Sequence, residues 1–242
     1  MRKIIAIIPA RYSSSRFQGK PLAKIKGKPM IQWVYETISR IDEIDELYVA
    51  TDDLRIAECV ESFDGKYIMT SDKHNSGSDR IAECALKINI NDDDIILNIQ
   101  GDEPMIKEEM VRELINAFND EEVYMATLKK QIIDENEINN SNVVKVITDI
   151  NNDAIYFSRS TIPNNRENVD GVKYYKHIGV YAYKKSFLIK FTELNESSIE
   201  LIEKLEQLRV IENGFKIRVL ETEYQTIGVD LPEHIALVEN EI

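Results

Sequence analysis

Residues Ile4-Ile5-Ala6-Ile7-Ile8-Pro9-Ala10-Arg11-Tyr12-Ser13-Ser14-Ser15-Arg16-Phe17-Gln18-Gly19-Lys20-Pro21-Leu22 decide the fold. The apolar run that opens the stretch has the length and branching of a buried strand. It passes directly into a loop of small, polar and cationic residues, which is how a strand in an α/β sheet presents an anion site at its carboxyl end. Between Met1 and Met30 there are eight Lys or Arg and no Asp or Glu, in a chain whose net charge is −13. Arg offers a planar fork to phosphate oxygens and Lys a mobile point charge, so the cluster suits a polyphosphate. A plain basic surface is the competing reading. Ser13, Ser14, Ser15, Gln18 and Gly19, set between the charges, allow close backbone approach to an anion and favour the first.

A nucleotide-binding P-loop is excluded. The pattern G-x-x-x-x-G-K-[ST] needs glycine where Ser14 stands and a hydroxyl where Pro21 stands. That hydroxyl normally ligates the magnesium ion of a bound triphosphate, so a nucleotide held here requires carboxylates from elsewhere. No G-x-G-x-x-G follows the first strand either, which removes a nicotinamide dehydrogenase.

The chain of 242 residues is long enough for one α/β domain. Its 43% hydrophobic content with nine Gly and six Pro describes an ordered protein. No apolar run reaches the roughly 18 residues of a membrane span, and a cytoplasmic location is expected. The acidic balance, 43 Asp and Glu against 30 Lys and Arg, disfavours non-specific nucleic-acid binding. Cys59 and Cys84 lack any metal-binding spacing and read as free thiols.

Strand-like and helix-periodic segments alternate: strand 4–9, helix 29–40, strand 46–51, helix 53–62, strand 66–69, helix 78–89, strand 94–99 and helix 107–118. The alternation predicts a doubly wound, mostly parallel sheet. Ligands of such sheets sit beyond the carboxyl ends of the strands, where loops 10–20, 70–80 and 100–104 could share one crevice. From 120 to 182 the rhythm changes to runs at 123–130, 143–149 and 154–158, read as a small antiparallel insertion within a single domain of residues 1–242. Residues 175–183 read as a further strand, 198–213 as one amphipathic helix ended by Gly214, and 216–220 with 226–230 as a last strand pair before a helix opened by Pro232.

Asp102, in Gln100-Gly101-Asp102-Glu103-Pro104, is the first candidate metal ligand; a β-to-helix turn uses Gly and Asp equally well. Asp230, in Gly228-Val229-Asp230-Leu231-Pro232, repeats the pattern and could come close to Asp102, or could cap the helix after it. Mg²⁺ bound with substrate phosphates needs only one or two protein carboxylates. The loop from Thr70 to Arg80 carries hydroxyls, amides and an arginine suited to a base or ribose, with Ser78 the expected helix cap and His74 a structural histidine.

Taken in order, P-A-R-Y-S-S-S-R-x-x-G-K-P-L, H-x-S-G-S-D-R, Q-G-D-E-P-M, F-S-R-S-T-I-P, H-I-G-V-Y-A-Y, L-E-Q-L-R and G-V-D-x-P-E resemble the 3-deoxy-manno-octulosonate cytidylyltransferases, or CMP-Kdo synthetases, over residues 4 to about 235. The resemblance implies a nucleotide-diphospho-sugar transferase-like fold and an Mg²⁺-dependent transferase that joins CTP to the sugar acid Kdo, releasing pyrophosphate. It implies that Arg11 and Lys20 hold CTP phosphates, that Ala10, Ser76, Gly77, Ser78, Arg80 and Gln100 lie at the nucleotide, and that Asp102 and Asp230 hold Mg²⁺. Gln100, Arg159, His177, Tyr181, Glu206 and Gln207 fall to the sugar. Arg159 could pair with the sugar carboxylate and Glu206 and Gln207 with hydroxyls; on residue type alone His177 and Tyr181 would read as core and Glu206 as a solvated helix face. A homodimer built through the 120–182 insertion is also implied. Phe17-Gln18, Ser78 and Ala182 stand where the family usually has Leu-Pro, Thr and Gly; Ser78 keeps the hydroxyl, whereas Ala182 beside Tyr181 and the unfamiliar loop 164–176 make a related ulosonic acid such as 8-amino-Kdo an alternative substrate. A sugar-1-phosphate nucleotidylyltransferase would need no Arg159, His177 and Glu206 set, and a non-catalytic binder would have little need for both Asp102 and Asp230.

Overall fold

In the computed structural model, β1 (Ile4–Ala10) forms where the chain is most apolar, and Ile5, Ile7 and Ile8 have no exposed surface because both faces of the strand are covered. The structure describes residues 2–14, 16–74 and 76–242, so Ser15 of the opening loop lies outside it. A helical turn at Lys20–Leu22 and a small hairpin, β2 (Lys24–Ile25) with β3 (Lys28–Pro29), lead to α1 (Met30–Ile38). Then come β4 (Glu46–Thr51), α2 (Leu54–Glu61), β5 (Tyr67–Met69), α3 (Gly77–Lys87), β6 (Ile95–Asn98) and α4 (Glu108–Asn116). The second half contains β7 (Met125–Gln131), α5 (Glu135–Ile138), β8 (Lys145–Thr148), β9 (Ala154–Ser158) and β10 (Tyr175–Lys184). It closes with α6 (Lys185–Glu193), α7 (Ser198–Glu203), α8 (Leu208–Glu212), β11 (Arg218–Glu221) and α9 (His234–Glu241).

One nine-stranded sheet carries the fold, in the order β11-β7-β10-β6-β1-β4-β5, with β8 joined to β10 and β9 to β8. β6, β1, β4 and β5 run parallel, as do β7 and β11. β10 runs antiparallel to both β6 and β7. The fold is therefore the mostly parallel, doubly wound α/β sheet expected. The antiparallel strands between 120 and 182 extend this same sheet.

Alternation along β1 divides the core. Ala6 and Ile8 pack with Ile31 and Val34 of α1, Ile56 of α2 and Leu114 of α4, whereas Ile5 and Ile7 pack with Ile81 of α3 and Phe187 and Phe191 of α6. Burying each large side chain contributes about 1.5–3 kcal/mol. With both faces occupied, the carboxyl edge of β1 and β6 is left for chemistry.

Several expectations need correction. The helix read over 198–213 is two short helices, with Lys204 between them in the left-handed region at φ 55°. Glu200 and Arg209 explain the break: they form a buried bidentate pair at 2.6 and 2.8 Å. In a continuous helix they would sit about 13 Å apart along the axis and on opposite faces. Glu206 and Gln207 therefore lie in the turn between helices. Residues 226–230 form no strand; the segment is tied down by Val229 N–H donating to the Asp102 carbonyl at 2.9 Å. Helix α6 was not anticipated. Ser76, not Ser78, caps α3, in a reciprocal capping box with Asp79. Of the two free thiols Cys84 is buried and Cys59 partly so.

Candidate active site

The three loops singled out from the sequence do meet in one cleft at the carboxyl edge of β1 and β6. Ala10, Arg11 and Lys20 form one wall, Ser76, Gly77 and Arg80 at the start of α3 another, and Gln100, Asp102 and Asp230 the third. Gly101 makes this meeting possible: a Cβ there would lie 3.1 Å from the Pro9 carbonyl and 3.3 Å from Ile31.

Lys20 sits at the centre. Its Nζ is bonded to Asp102 Oδ2 and lies 3.6 Å from Asp230 Oδ1, while Arg16 Nη2 reaches the same Asp230 oxygen at 3.0 Å. Two carboxylates far apart in the chain, one mid-chain and one near its end, thus converge on one cation. The Asp230 carboxylate is not a helix cap, because α9 begins at His234 with Glu233 in the cap position and no side-chain cap, and the Asp230 N–H donates to His234 Nδ1 at 3.2 Å.

Glu103 joins the two carboxylate loops. Thr226 Oγ1 donates to its Oε2 at 2.5 Å, and a Cβ on Gly228 would come within 2.9 Å of its Oε1. A side chain at residue 228 would have to displace this carboxyl group. Burial pushes the Glu103 pKa up to about 7, with Asp102 and Asp230 acting in the same direction against the Thr226 bond.

Two residues of the 70–80 loop have structural duties. Arg80 is buried, its Nη1 donating to Thr70 Oγ1 at 2.6 Å and its Nη2 to Asp52 Oδ2 at 3.1 Å, so it braces the loop while lining the cleft. His74 Nε2 is bonded to Glu83, which also accepts from Ser71 N–H at 2.8 Å.

Arg159, His177, Tyr181, Glu206 and Gln207 lie outside the walls of this cleft. His177 and Tyr181 lie on β10 and Glu206 and Gln207 in the turn before α8, while Arg159 follows β9 and is held by Glu203 at the end of α7. Ser78, expected at the nucleotide, is buried and does not line the cleft; its hydroxyl donates to Glu206 Oε2 at 2.8 Å, and burial raises the Glu206 pKa. Tyr181 stands opposite Asn98 in the β10–β6 register, and Asn98 accepts from Gln100 Nε2 at 2.7 Å. His177 is part of an aromatic row, 5.1 Å from Phe157 and 5.4 Å from Tyr181 between ring centres, with Nε2 3.0 Å from Thr127 Oγ1. Burial lowers its pKa to about 3, so the imidazole is neutral. Gln207 is 5% exposed and its Nε2 has no partner among the described residues. A buried donor in that state costs about 1–3 kcal/mol until something accepts from it.

Arg16 and Glu103 were missed as site residues by the sequence reading. Arg16 carried a signal, being the second arginine of P-A-R-Y-S-S-S-R; Glu103 carried only its place beside Asp102.

Chemically, a cleft with Arg11, Arg16 and Lys20 facing Asp102 and Asp230 can hold a polyphosphate and a hard cation together. The donor set fits Mg²⁺: both candidate residues are carboxylates, and the Lys20 ammonium already occupies a position between them. Among the described residues no group of three or more His, Cys, Asp or Glu is placed to hold a metal ion.

The chain resembles known proteins over nearly its whole length. The cytidylyltransferase family model matches residues 5–217. The 3-deoxy-manno-octulosonate cytidylyltransferase of Syntrophus aciditrophicus (strain SB) is 50% identical over 241 residues, covering 99% of this chain and 97% of its own. That of Fusobacterium nucleatum subsp. nucleatum is also 50% identical, with the same coverage of both chains. Among solved structures, CMP:2-keto-3-deoxy-manno-octonic acid synthetase complexed with CTP superposes with a TM-score of 0.92 at 43% identity, covering 99% of this chain and all of that one. Sequence, fold and the converging carboxylates lead to the same place: the chain belongs to the cytidylyltransferase family, among the 3-deoxy-manno-octulosonate cytidylyltransferases.

Proposed function

We propose that the chain transfers CMP from CTP to the anomeric hydroxyl of Kdo, giving CMP-Kdo and pyrophosphate. The observation that supports this most is the convergence of Asp102 and Asp230 on Lys20 within an otherwise cationic cleft. The likeness to relatives at 50% identity selects CTP and Kdo as substrates.

The oxygen of the Kdo C2 hydroxyl attacks the α-phosphorus of CTP in line. The bond from that phosphorus to the bridging oxygen breaks, pyrophosphate leaves with the electron pair, and the hydroxyl proton is released to solvent. Arg11, Arg16 and Lys20 bind the phosphates and offset the charge gathering on the departing pyrophosphate. Asp102 and Asp230 would hold Mg²⁺, which when bound supplies charge neutralisation and a lower pKa for the attacking hydroxyl. No histidine is assigned as base: His74 is held by Glu83, His234 accepts from Asp230 N–H, and His177 belongs to the aromatic row. Arg159 would pair with the sugar carboxylate, and Glu206 and the unsatisfied Gln207 amide would meet sugar hydroxyls. The homodimer is assigned to the 120–182 face, where Ile133, Ile150 and Ile155 are 77%, 98% and 52% exposed.

Kdo labelled with ¹⁸O at the anomeric hydroxyl tests the reaction directly. Retention of label in CMP-Kdo, read as an isotope shift on its phosphorus resonance, is the expected result; unlabelled nucleotide product would rule out attack by that oxygen.

A further inference from the structure

Lys145, in β8, has no exposed surface and, among the described residues, no carboxylate bonded to it. Its ammonium donates to three main-chain carbonyls, those of Asn140 at 2.9 Å, Val143 at 2.6 Å and Arg159 at 2.7 Å. Burying a charge this way is unfavourable unless the surrounding dipoles repay it, and burial accordingly lowers the Lys145 pKa. Three carbonyls use all three protons of the ammonium.

The other side of the same residue is held as firmly. The Arg159 N–H donates to Glu203 Oε2 at 2.9 Å, Ser158 Oγ donates to Glu203 Oε1 at 2.6 Å, and Arg159 Nε donates to the Glu203 carbonyl at 2.8 Å. Arg159 Nη1 is directed by the Ser141 carbonyl at 3.1 Å, and Ser141 lies next to the Asn140 that Lys145 holds. Arg159 is thus bracketed by an ammonium on its carbonyl and a carboxylate on its amide. Glu203 ends α7, one residue before the left-handed Lys204 and three before Glu206.

We infer that Lys145 and Glu203 are positioning residues for the sugar acid, clamping the Arg159 peptide from both sides so that the guanidinium is aimed and spaced relative to Glu206 and Gln207. The inference rests on the assignment of Arg159 to the sugar carboxylate. Neither residue touches substrate; both act through Arg159. Removing one charged hydrogen-bonding group from such a clamp lowers sugar binding on the order of tenfold or more.

The test uses the full chain with CTP, Mg²⁺ and Kdo. Lys145→Met keeps length and removes the three donors; Glu203→Gln keeps shape and removes the charge; Arg159→Ala serves as reference. In both clamp variants KM for Kdo rises about tenfold, while KM for CTP and kcat stay within about twofold of wild type. Titration of CTP alone into each variant by calorimetry, expected to match wild type, guards against general damage. A folded clamp variant whose Kdo KM is unchanged, or in which the Kdo and CTP constants rise in proportion, overturns the inference. If Lys145→Met fails to fold, Glu203→Gln decides. Failure of the underlying assignment looks different: Arg159→Ala then leaves the Kdo KM at the wild-type value and takes the clamp with it, whereas a raised KM in Arg159→Ala with silent clamp variants refutes the clamp alone.

Discussion

Replacing Glu103 by Gln should stabilise the protein by an amount that grows as pH rises from about 4.5 to about 7 and then levels off. Burial, with Asp102 and Asp230 nearby, raises the Glu103 pKa from 4.5 to about 7 in the folded chain. A carboxyl group whose folded pKa exceeds its unfolded value favours folding when protonated, so its contribution is present below pH 4.5 and is lost as pH rises through about 7. The difference of roughly 2.5 units corresponds to at most about 3 kcal/mol at pH 8.5. Gln removes the ionisation yet keeps an oxygen to accept from Thr226. In EDTA, the variant should therefore melt at nearly the wild-type temperature at pH 4.5 and up to about 6–12 °C higher at pH 8.5. Equal melting temperatures at both values, or a gain at low pH alone, would refute the placement of Glu103 as a buried carboxyl group under electrostatic load.

Other consequences follow from the same contacts. Asp102→Asn or Asp230→Asn should lower kcat by about a thousandfold or more with an unchanged circular dichroism spectrum; wild-type turnover in either would remove that residue from the reaction. Gly228→Ala places a Cβ 2.9 Å from Glu103 Oε1 and so displaces the carboxyl group that lies between Asp102 and the 226–230 segment; the Mg²⁺ concentration for half-maximal rate should rise severalfold, and an unchanged value would contradict the role given to Glu103 there. Arg209→Met strands Glu200 in the core and should destabilise by about 3–5 kcal/mol in urea unfolding, whereas a loss below about 1 kcal/mol would mean that the pair is solvated.

The parallel half of the fold was readable because its signals are local. β1, β4 and β6 are short apolar runs, and α1 to α4 show helical spacing between turn residues, so period alone separates them. What escaped depends on partners distant in the chain. The break at Lys204 follows from a buried pair between Glu200 and Arg209, and nothing in the amphipathic pattern of 198–213 announces it. Residues 226–230 look like a strand but contribute one main-chain bond to Asp102 rather than a ladder. The same division holds at the site. Asp102 and Asp230 are legible since each follows a glycine at the end of an apolar run. Glu103 and Lys145 are not, because one gains its meaning from Thr226, 123 residues away, and the other from carbonyls that every residue possesses.

Pyrophosphate release from CTP and Mg²⁺, followed with Kdo, with no sugar, with sialic acid and with a sugar 1-phosphate, tests the central claim most directly. Release with Kdo and background signal in the other three is the predicted result. Release with the sugar 1-phosphate but not with Kdo, or no release with any acceptor, would contradict it.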